Sequence, residues 1–291
     1  MSRIEKEWNK LLDSAPGSQL RRLVQDATLQ VPGAPFALCA PLAEQAGYSA
    51  VYLSGAGFSA AALALPDTGL FSLDELVVQA ERLCRASNLP VIVDADTGFG
   101  KVPECVAQLE AAGVAAIQLE DQTFPKRCGH LEGKQVVPVE EMCQKIASAA
   151  TARHNKDLVL IGRTDARATD GLDAAIGRAV RYLEAGADWI FPEALKSKEE
   201  FTQFAAAIDA PLIANMTEFG AGPLLTHQEL TELGFAVVLY PVTLLRVAMK
   251  AIETALAFID DAGTQEELLD LMQTRNELYE LLDYDPSAPS E

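Results

Sequence analysis

Short apolar runs recur along the chain, separated by longer stretches with helical spacing of apolar positions. The runs are Leu29–Val31, Ala50–Ser54, Val91–Asp94, Ala115–Glu120, Leu158–Arg163, Trp189–Pro192, Leu212–Asn215 and Ala236–Tyr240. They are continuous rather than alternating, the pattern of parallel strands covered on both faces. Capping-box spacing opens several intervening helices: Ser72 with Glu75, Ser197 with Glu200, Thr226 with Glu229. Ala46-Gly47, Ala112-Gly113 and Ala185-Gly186 stop a helix just before the next strand. Eight strand–helix units in this order predict a (β/α)8 TIM barrel. A doubly wound sheet competes, but Gly55-Ala56-Gly57 lacks the third glycine of a dinucleotide turn and reads as a tight turn after a strand.

Past the eighth strand the pattern is helical. One helix is predicted over about Val242–Asp261 and broken at Gly263. Thr264 with Glu267 would cap a second, reaching about Leu282. Residues 1–291 thus form a single barrel domain with a helical extension over 242–284. The two helices need a surface, either on their own barrel or on a partner subunit, and spacing does not choose between these.

Composition narrows the function. The chain has 291 residues, 49% of them hydrophobic, and a formal net charge of −19. It carries no basic footprint of the kind nucleic-acid binding needs. No apolar stretch approaches the roughly 20 residues of a membrane span, and residues 1–30 contain no signal-like apolar run. Five scattered cysteines without CxxC spacing argue against disulfides or a zinc site and point to a reducing, cytoplasmic setting. Only three histidines occur, far apart, so a metal would be held by oxygen ligands, which favours Mg2+ or Mn2+.

The chemistry lies at the strand ends, where barrel active sites form. Tyr52-Leu53-Ser54-Gly55, Asp94-Ala95-Asp96, Glu120-Asp121, Arg163-Thr164-Asp165, Glu193, Asn215-Met216-Thr217 and Tyr240-Pro241 close seven of the strands. One polar strand end is ordinary; seven together predict a shared site. Asp94 and Asp96 are two apart and would share a face of an extended strand, and with Glu120 they offer hard oxygen ligands. Helix capping or ion pairing is the bland alternative for each. Cys128 lies between Lys126-Arg127 and Gly129-His130, where positive charge favours thiolate, so it reads as an acid–base or nucleophilic thiol rather than a core residue. Arg163 suits bidentate carboxylate binding or an ion pair with a neighbouring acid. Glu193 needs a cation or a substrate hydroxyl beside it.

These strings, with Leu65-Pro66-Asp67, Lys126 to His130, Asn215 to Gly220 and Met272-Gln273-Thr274-Arg275, resemble the isocitrate lyase / phosphoenolpyruvate mutase superfamily over about Val31–Tyr284. The resemblance implies Mg2+-assisted retro-aldol cleavage of 2-methylisocitrate to pyruvate and succinate, within propionate breakdown by the methylcitrate cycle. Isocitrate, 2,3-dimethylmalate and oxaloacetate are sibling substrates, and a non-catalytic binding protein is the alternative of a different class. It implies Asp94 and Asp96 at the metal, with Asp67 and Glu120 on metal waters. Ser54, Gly55, Ala56 and Arg163 would surround the pyruvate portion. Cys128, among Lys126, Arg127, Gly129, His130, Glu193, Asn215 and Thr217, would protonate the succinate portion. Tyr52 is the implied hydroxyl-proton base, Arg246 and Arg275 bind further carboxylates, and Phe191, Leu239 and Pro241 admit the extra methyl. Ala56 departs from the usual second glycine. Residues 122–135 would form a gate over the substrate, and the assembly would be a homotetramer with C-terminal helices exchanged in pairs.

Overall fold

The computed structural model describes residues 15–127, 129 and 133–287. Eight parallel strands lie among them: β1 (Leu29–Pro32), β2 (Val51–Leu53), β3 (Val91–Asp94), β4 (Ala116–Glu120), β5 (Val159–Thr164), β6 (Trp189–Pro192), β7 (Ile213–Asn215) and β8 (Val237–Tyr240). Strands β2 to β6 pair in sequence order, and β1, β8 and β7 pair in a second set. Two bridges, Gly33 with Tyr52 and Ile190 with Leu212, join the sets and close the ring. The predicted (β/α)8 barrel is therefore present, each strand within a residue or two of its apolar run.

The helices are α1 (Pro16–Asp26), α2 (Cys39–Gln45), α3 (Gly55–Leu63), α4 (Leu73–Ala86), α5 (Val102–Ala111), α6 (Val139–Ala152), α7 (Ala166–Thr169), α8 (Leu172–Glu184), α9 (Lys198–Ala207), α10 (His227–Glu232), α11 (Thr243–Ala262) and α12 (Arg275–Leu281). Strand residues sort onto two apolar layers, which is why the runs do not alternate. Tyr52, Ile92, Val159, Ile161, Trp189, Phe191, Val237 and Leu239 fill the barrel interior. Leu53, Val93, Ile117, Leu160, Ile190 and Val238 face the helices. Helix α1 closes the amino-terminal end. Its Leu20 is fully buried with the interior residues, and Arg21 donates to the carbonyls of Asp157 and Leu158 just before β5. Gly17 lies so close to the Asp157 carbonyl that no side chain fits there.

Ser72 and Thr226 form complete capping boxes with Glu75 and Glu229. At α9 only half the box forms. Ser197 accepts from the Glu200 amide, but the Glu200 carboxylate turns to Arg167 and the Lys196 amide.

The chain divides into two compact units, one ending at Thr243 and one beginning at Leu244. The second departs from the expected pair of long helices. Thr264 accepts from the Glu266 amide, making a local turn instead of a cap. A 3-10 helix over Glu266–Leu271 follows, and α12 starts only at Arg275. The capping box belongs to Thr274 and Glu277, whose reciprocal bonds outcompete continuation from Thr264. Within this unit Val247, Ala251, Ile252, Ala255, Leu268, Leu271 and Met272 line an apolar groove of about 600 Å³.

Candidate active site at the carboxyl ends of the strands

An acidic cluster gathers at the ends of β3 and β4. Asp94 closes β3; its Oδ1 accepts from the Asp96 amide (3.2 Å) and Gln118 Nε2 (3.3 Å), and its Oδ2 from the Gly55 amide (3.4 Å). Asp96 is not on the strand. It sits past the strand end at φ +48°, in the left-handed region, so the turn and not the pleat brings the two carboxylates together. Both flank Gly55, where an added Cβ would stand 3.1 Å from Asp96 Oδ1 and 3.4 Å from Asp94 Oδ2. The next residues open α3. Ser54 caps that helix by accepting from the Gly57 amide at 3.2 Å, and half-buried Ala56 lies in its first turn.

Lys126 enters this cluster. Its buried Nζ stands 2.5 Å from Asp67 Oδ1 and 2.5 Å from Asp96 Oδ1. That differs from the expected place beside the succinate portion: the ammonium, taken out of water, goes where several carboxylates repay its desolvation. Burial alone would lower the Lys126 pKa, but Asp96, Glu120, Asp94 and Asp67 together hold its proton far more firmly than usual. Burial pushes the Asp96 carboxyl up and the Lys126 ammonium draws it back; at 2.5 Å we take the ionised pair as the resting form.

Glu120, at the end of β4, is buried and raised well above the usual carboxylate range by that burial, with Arg163 and Lys126 opposing. Its Oε2 lies 3.4 Å from Arg163 Nη1. Among the described residues, neither Glu120 oxygen nor Asp96 Oδ2 accepts a hydrogen bond. Hard carboxylate oxygens, buried and without hydrogen-bond donors, fit a small divalent cation. Among the described residues, however, no three carboxylate, thiol or imidazole side chains are grouped as a ready ligand set, and the Lys126 ammonium stands between Asp67 and Asp96.

Arg163 forms the second half of the site. Asp165 takes it bidentately, Nε to Oδ2 at 2.9 Å and Nη2 to Oδ1 at 3.2 Å, and Glu193 Oε2 lies 3.6 Å from Nε. The guanidinium stands 5.5 Å from the Phe191 ring centroid, an offset set by the β5–β6 register that pairs Arg163 with Phe191. Asn215 Nδ2 donates to both oxygens of Glu193, at 3.4 and 3.3 Å. Thr217 lines the same recess as Asn215. Leu239 pairs with Asn215 across β7–β8 and is buried inside the barrel with Phe191. Pro241 is buried and its carbonyl presses on Gly33.

Tyr52 links the halves from within the barrel. Its hydroxyl donates to Gln118 Oε1 at 3.2 Å, and Gln118 Nε2 in turn reaches Asp94. Burial, then Asp94, push the phenol well above its usual range, with Arg163 opposing. The hydroxyl is thus held as a donor.

Cys128 and His130 lie outside the described residues, as do residues 131–132 of the expected gate. Gly129 between them is described and buried. An added Cβ would collide with Arg163 Nη2 and stand 2.6 Å from Glu193 Cγ, so only glycine fits. Arg127 is exposed; its amide donates to Gln122 Oε1 and its carbonyl accepts from Gln122 Nε2. Arg246 and Arg275 belong to the second compact unit.

Sequence reasoning missed three supports. Gln118 is polar in a fully buried strand, and that mismatch was a readable signal. Asp121 accepts from Thr164, the Asp165 amide and Tyr182, pinning the end of β5. Lys134, in a charged loop, had no distinguishing pattern.

A closed parallel barrel with carboxylates and an arginine converging at its carboxyl mouth defines a class of α/β-barrel enzymes acting on small organic acids. The family model "Phosphoenolpyruvate phosphomutase" matches residues 20–259. The 2-methylisocitrate lyase of Halalkalibacterium halodurans is 53% identical over 90% of this chain and 87% of its own, and that of Aeropyrum pernix 48% over 92% and 88%. Among solved structures, 2,3-dimethylmalate lyase, a PEP mutase/isocitrate lyase superfamily member, superposes with a TM-score of 0.87 at 34% identity, covering 92% of each chain. Phosphonopyruvate hydrolase in complex with oxalate and Mg2+ does so with a TM-score of 0.82 at 32% identity, covering 92% of this chain and 95% of its own. The chain belongs to the phosphoenolpyruvate phosphomutase family, within the PEP mutase/isocitrate lyase superfamily.

Proposed function

We propose that this protein is a carbon–carbon lyase that cleaves 2-methylisocitrate to pyruvate and succinate. The observation that carries the reading is the convergence of Asp94, Asp96, Glu120, Arg163 and Glu193 at one barrel mouth, in a chain about half identical to 2-methylisocitrate lyases.

Asp94 and Asp96, with Asp67 and Glu120 behind them, would hold Mg2+ or Mn2+, which supplies Lewis-acid polarisation of the substrate's hydroxyl oxygen and adjacent carboxylate. Arg163, already oriented by Asp165, offers Nη1 and Nη2 to a substrate carboxylate. The amides of Gly55 and Ala56, at the amino end of α3, favour negative charge on the pyruvate portion. Tyr52 lies within reach of Asp94 through Gln118 and is our candidate to receive the hydroxyl proton. It can do so only as the phenolate, its own proton having gone to solvent before the substrate hydroxyl proton is taken up; the raised pKa makes that phenolate a strong base. As the carbon–carbon bond breaks, Cys128 protonates the succinate carbon, with Arg127, His130, Glu193, Asn215 and Thr217 as its surroundings, while Lys126 stays with Asp67 and Asp96. Arg246 and Arg275 supply cations for the remaining carboxylates. Phe191, Leu239 and Pro241 form the apolar wall for the methyl group, a difference worth roughly 1–3 kcal/mol against isocitrate. We place the reaction in the cytoplasm, in a homotetramer with exchanged C-terminal helices. Among the described residues no helix is long and apolar enough to cross a membrane.

The test is pyruvate release from 2-methylisocitrate, with isocitrate and 2,3-dimethylmalate in parallel, in Mg2+ and in EDTA. Release should be fastest with methylisocitrate, abolished by EDTA, and lost in Cys128→Ser. Equal rates on dimethylmalate, or release that survives EDTA, would overturn the substrate or the metal respectively.

A further inference from the structure

Lys134 is not among the residues assigned above, yet it is nearly as buried as the site itself. Its side chain is 1% exposed, in a loop, with the carboxylate of Asp165 fully buried opposite. A lysine withdrawn from water to that extent is destabilising unless well paired. Two acceptors meet it: Asp165 Oδ1 at 2.9 Å and the backbone carbonyl of Gly129. Each leads back to Arg163. Asp165 is the bidentate partner of the guanidinium, and the Gly129 backbone runs so close to Arg163 Nη2 and Glu193 that an added Cβ would collide with both. Lys134 therefore closes a ring: ammonium, Asp165, Arg163, Gly129, ammonium. Three of its four joints are charge-assisted, and the fourth is a close approach that tolerates no side chain.

We propose that Lys134 is a positioning residue for this site, holding the Gly129 backbone against Arg163 and Glu193. The proposal rests on the lyase reading for its significance. Gly129 is next in sequence to Cys128, so the point fixed by Lys134 is one residue from the proton donor. Without Lys134, Asp165 keeps its bidentate bonds from Arg163, a cation it shares with Glu120 and Glu193, and its amide stays on Asp121. Folding of the neutral replacement is therefore checked first by its circular dichroism and melting temperature. What the replacement loses is the tie between residue 129 and the barrel. A misplacement of about 1 Å near the reacting atoms can cost on the order of 100-fold in rate.

The experiment compares wild type, Lys134→Met, Gly129→Ala and the double variant, all as full-length chains. Lys134→Met should lower kcat on 2-methylisocitrate about 100-fold with KM changed less than threefold, since the carboxylate-binding face of Arg163 stays in place. It should keep the thermal stabilisation by Mg2+ alone. Gly129→Ala should show the same loss, and the double variant should be no worse than either single, because both act on one contact. A kcat within threefold of wild type in Lys134→Met, additive losses in the double variant, or loss of the Mg2+ response along with kcat would overturn the proposal. A second readout does not depend on turnover. With succinate and pyruvate added, iodoacetamide should alkylate Cys128 at least tenfold faster in Lys134→Met than in wild type. Equal rates would overturn the positioning role. A wild-type chain inactive on 2-methylisocitrate would instead overturn the lyase reading, and the same alkylation comparison without added acids would still decide on Lys134.

Discussion

At the residue scale, Arg163 is the hinge of the site. It touches Asp165, Glu120 and Glu193 and lies over Phe191, so its planar fork is used on several edges at once. A lysine keeps the charge but cannot reproduce a fork. Arg163→Lys should lower kcat/KM by roughly 10²–10³-fold, the usual size for losing an oriented donor, measured by pyruvate release. Loss of under fivefold would mean that the guanidinium serves the fold alone. Most such residues could be read from the chain because each is a polar residue ending an apolar run, and a parallel barrel gathers those ends. Gln118 follows the same logic one step inside the strand. Lys134 could not be read, and Asp121, though seen at a polar strand end, gave no sign of its bonds, because their partners are fixed by folding over separations of 31 and 43 residues. Lys126 ends beside Asp67 and Asp96, a placement that adjacency to Cys128 in sequence could not give, since it says nothing about where a long side chain ends.

At the scale of elements, local hydrogen bonding decides where helices begin. The Thr226 amide is the main cause, and Lys198 the second, holding the Glu229 carboxyl down to about 2. A carboxylate depressed on folding stabilises above its unfolded value near 4.5, and that contribution fades as pH falls towards about 2. Glu229→Gln should therefore melt below wild type at pH 6, and the gap should narrow as pH drops to 3. A gap constant with pH would show that the carboxylate charge is not what caps α10. The tail teaches the complementary lesson. Thr264 and Thr274 both stand three residues before a glutamate, and only the second makes the reciprocal bonds. Spacing proposes caps; the turn geometry around Gly263 selects among them.

At the scale of the molecule, α11 buries none of its residues, and Val247, Met249, Ile252, Leu256 and Ile259 remain exposed along it. An apolar stripe of that length asks for a covering surface. In our reading it is covered by another copy of this chain. Wild type should scatter light as a tetramer, and Leu256→Glu should shift the mass towards smaller species. A wild-type mass near 31 kDa, one chain, would remove the exchanged-helix assembly.

Helix α1 has a consequence for traffic. By plugging the amino-terminal end with Leu20 and tying Arg21 to the turn before β5, it makes the barrel a blind alley. One molecule of substrate becomes two of product at the mouth of a barrel whose interior is packed with side chains, so both leave by the carboxyl face and the fragment nearer solvent must go first. Release should be strictly sequential: the deeper product competes with substrate for the empty enzyme, while the outer one inhibits without competing.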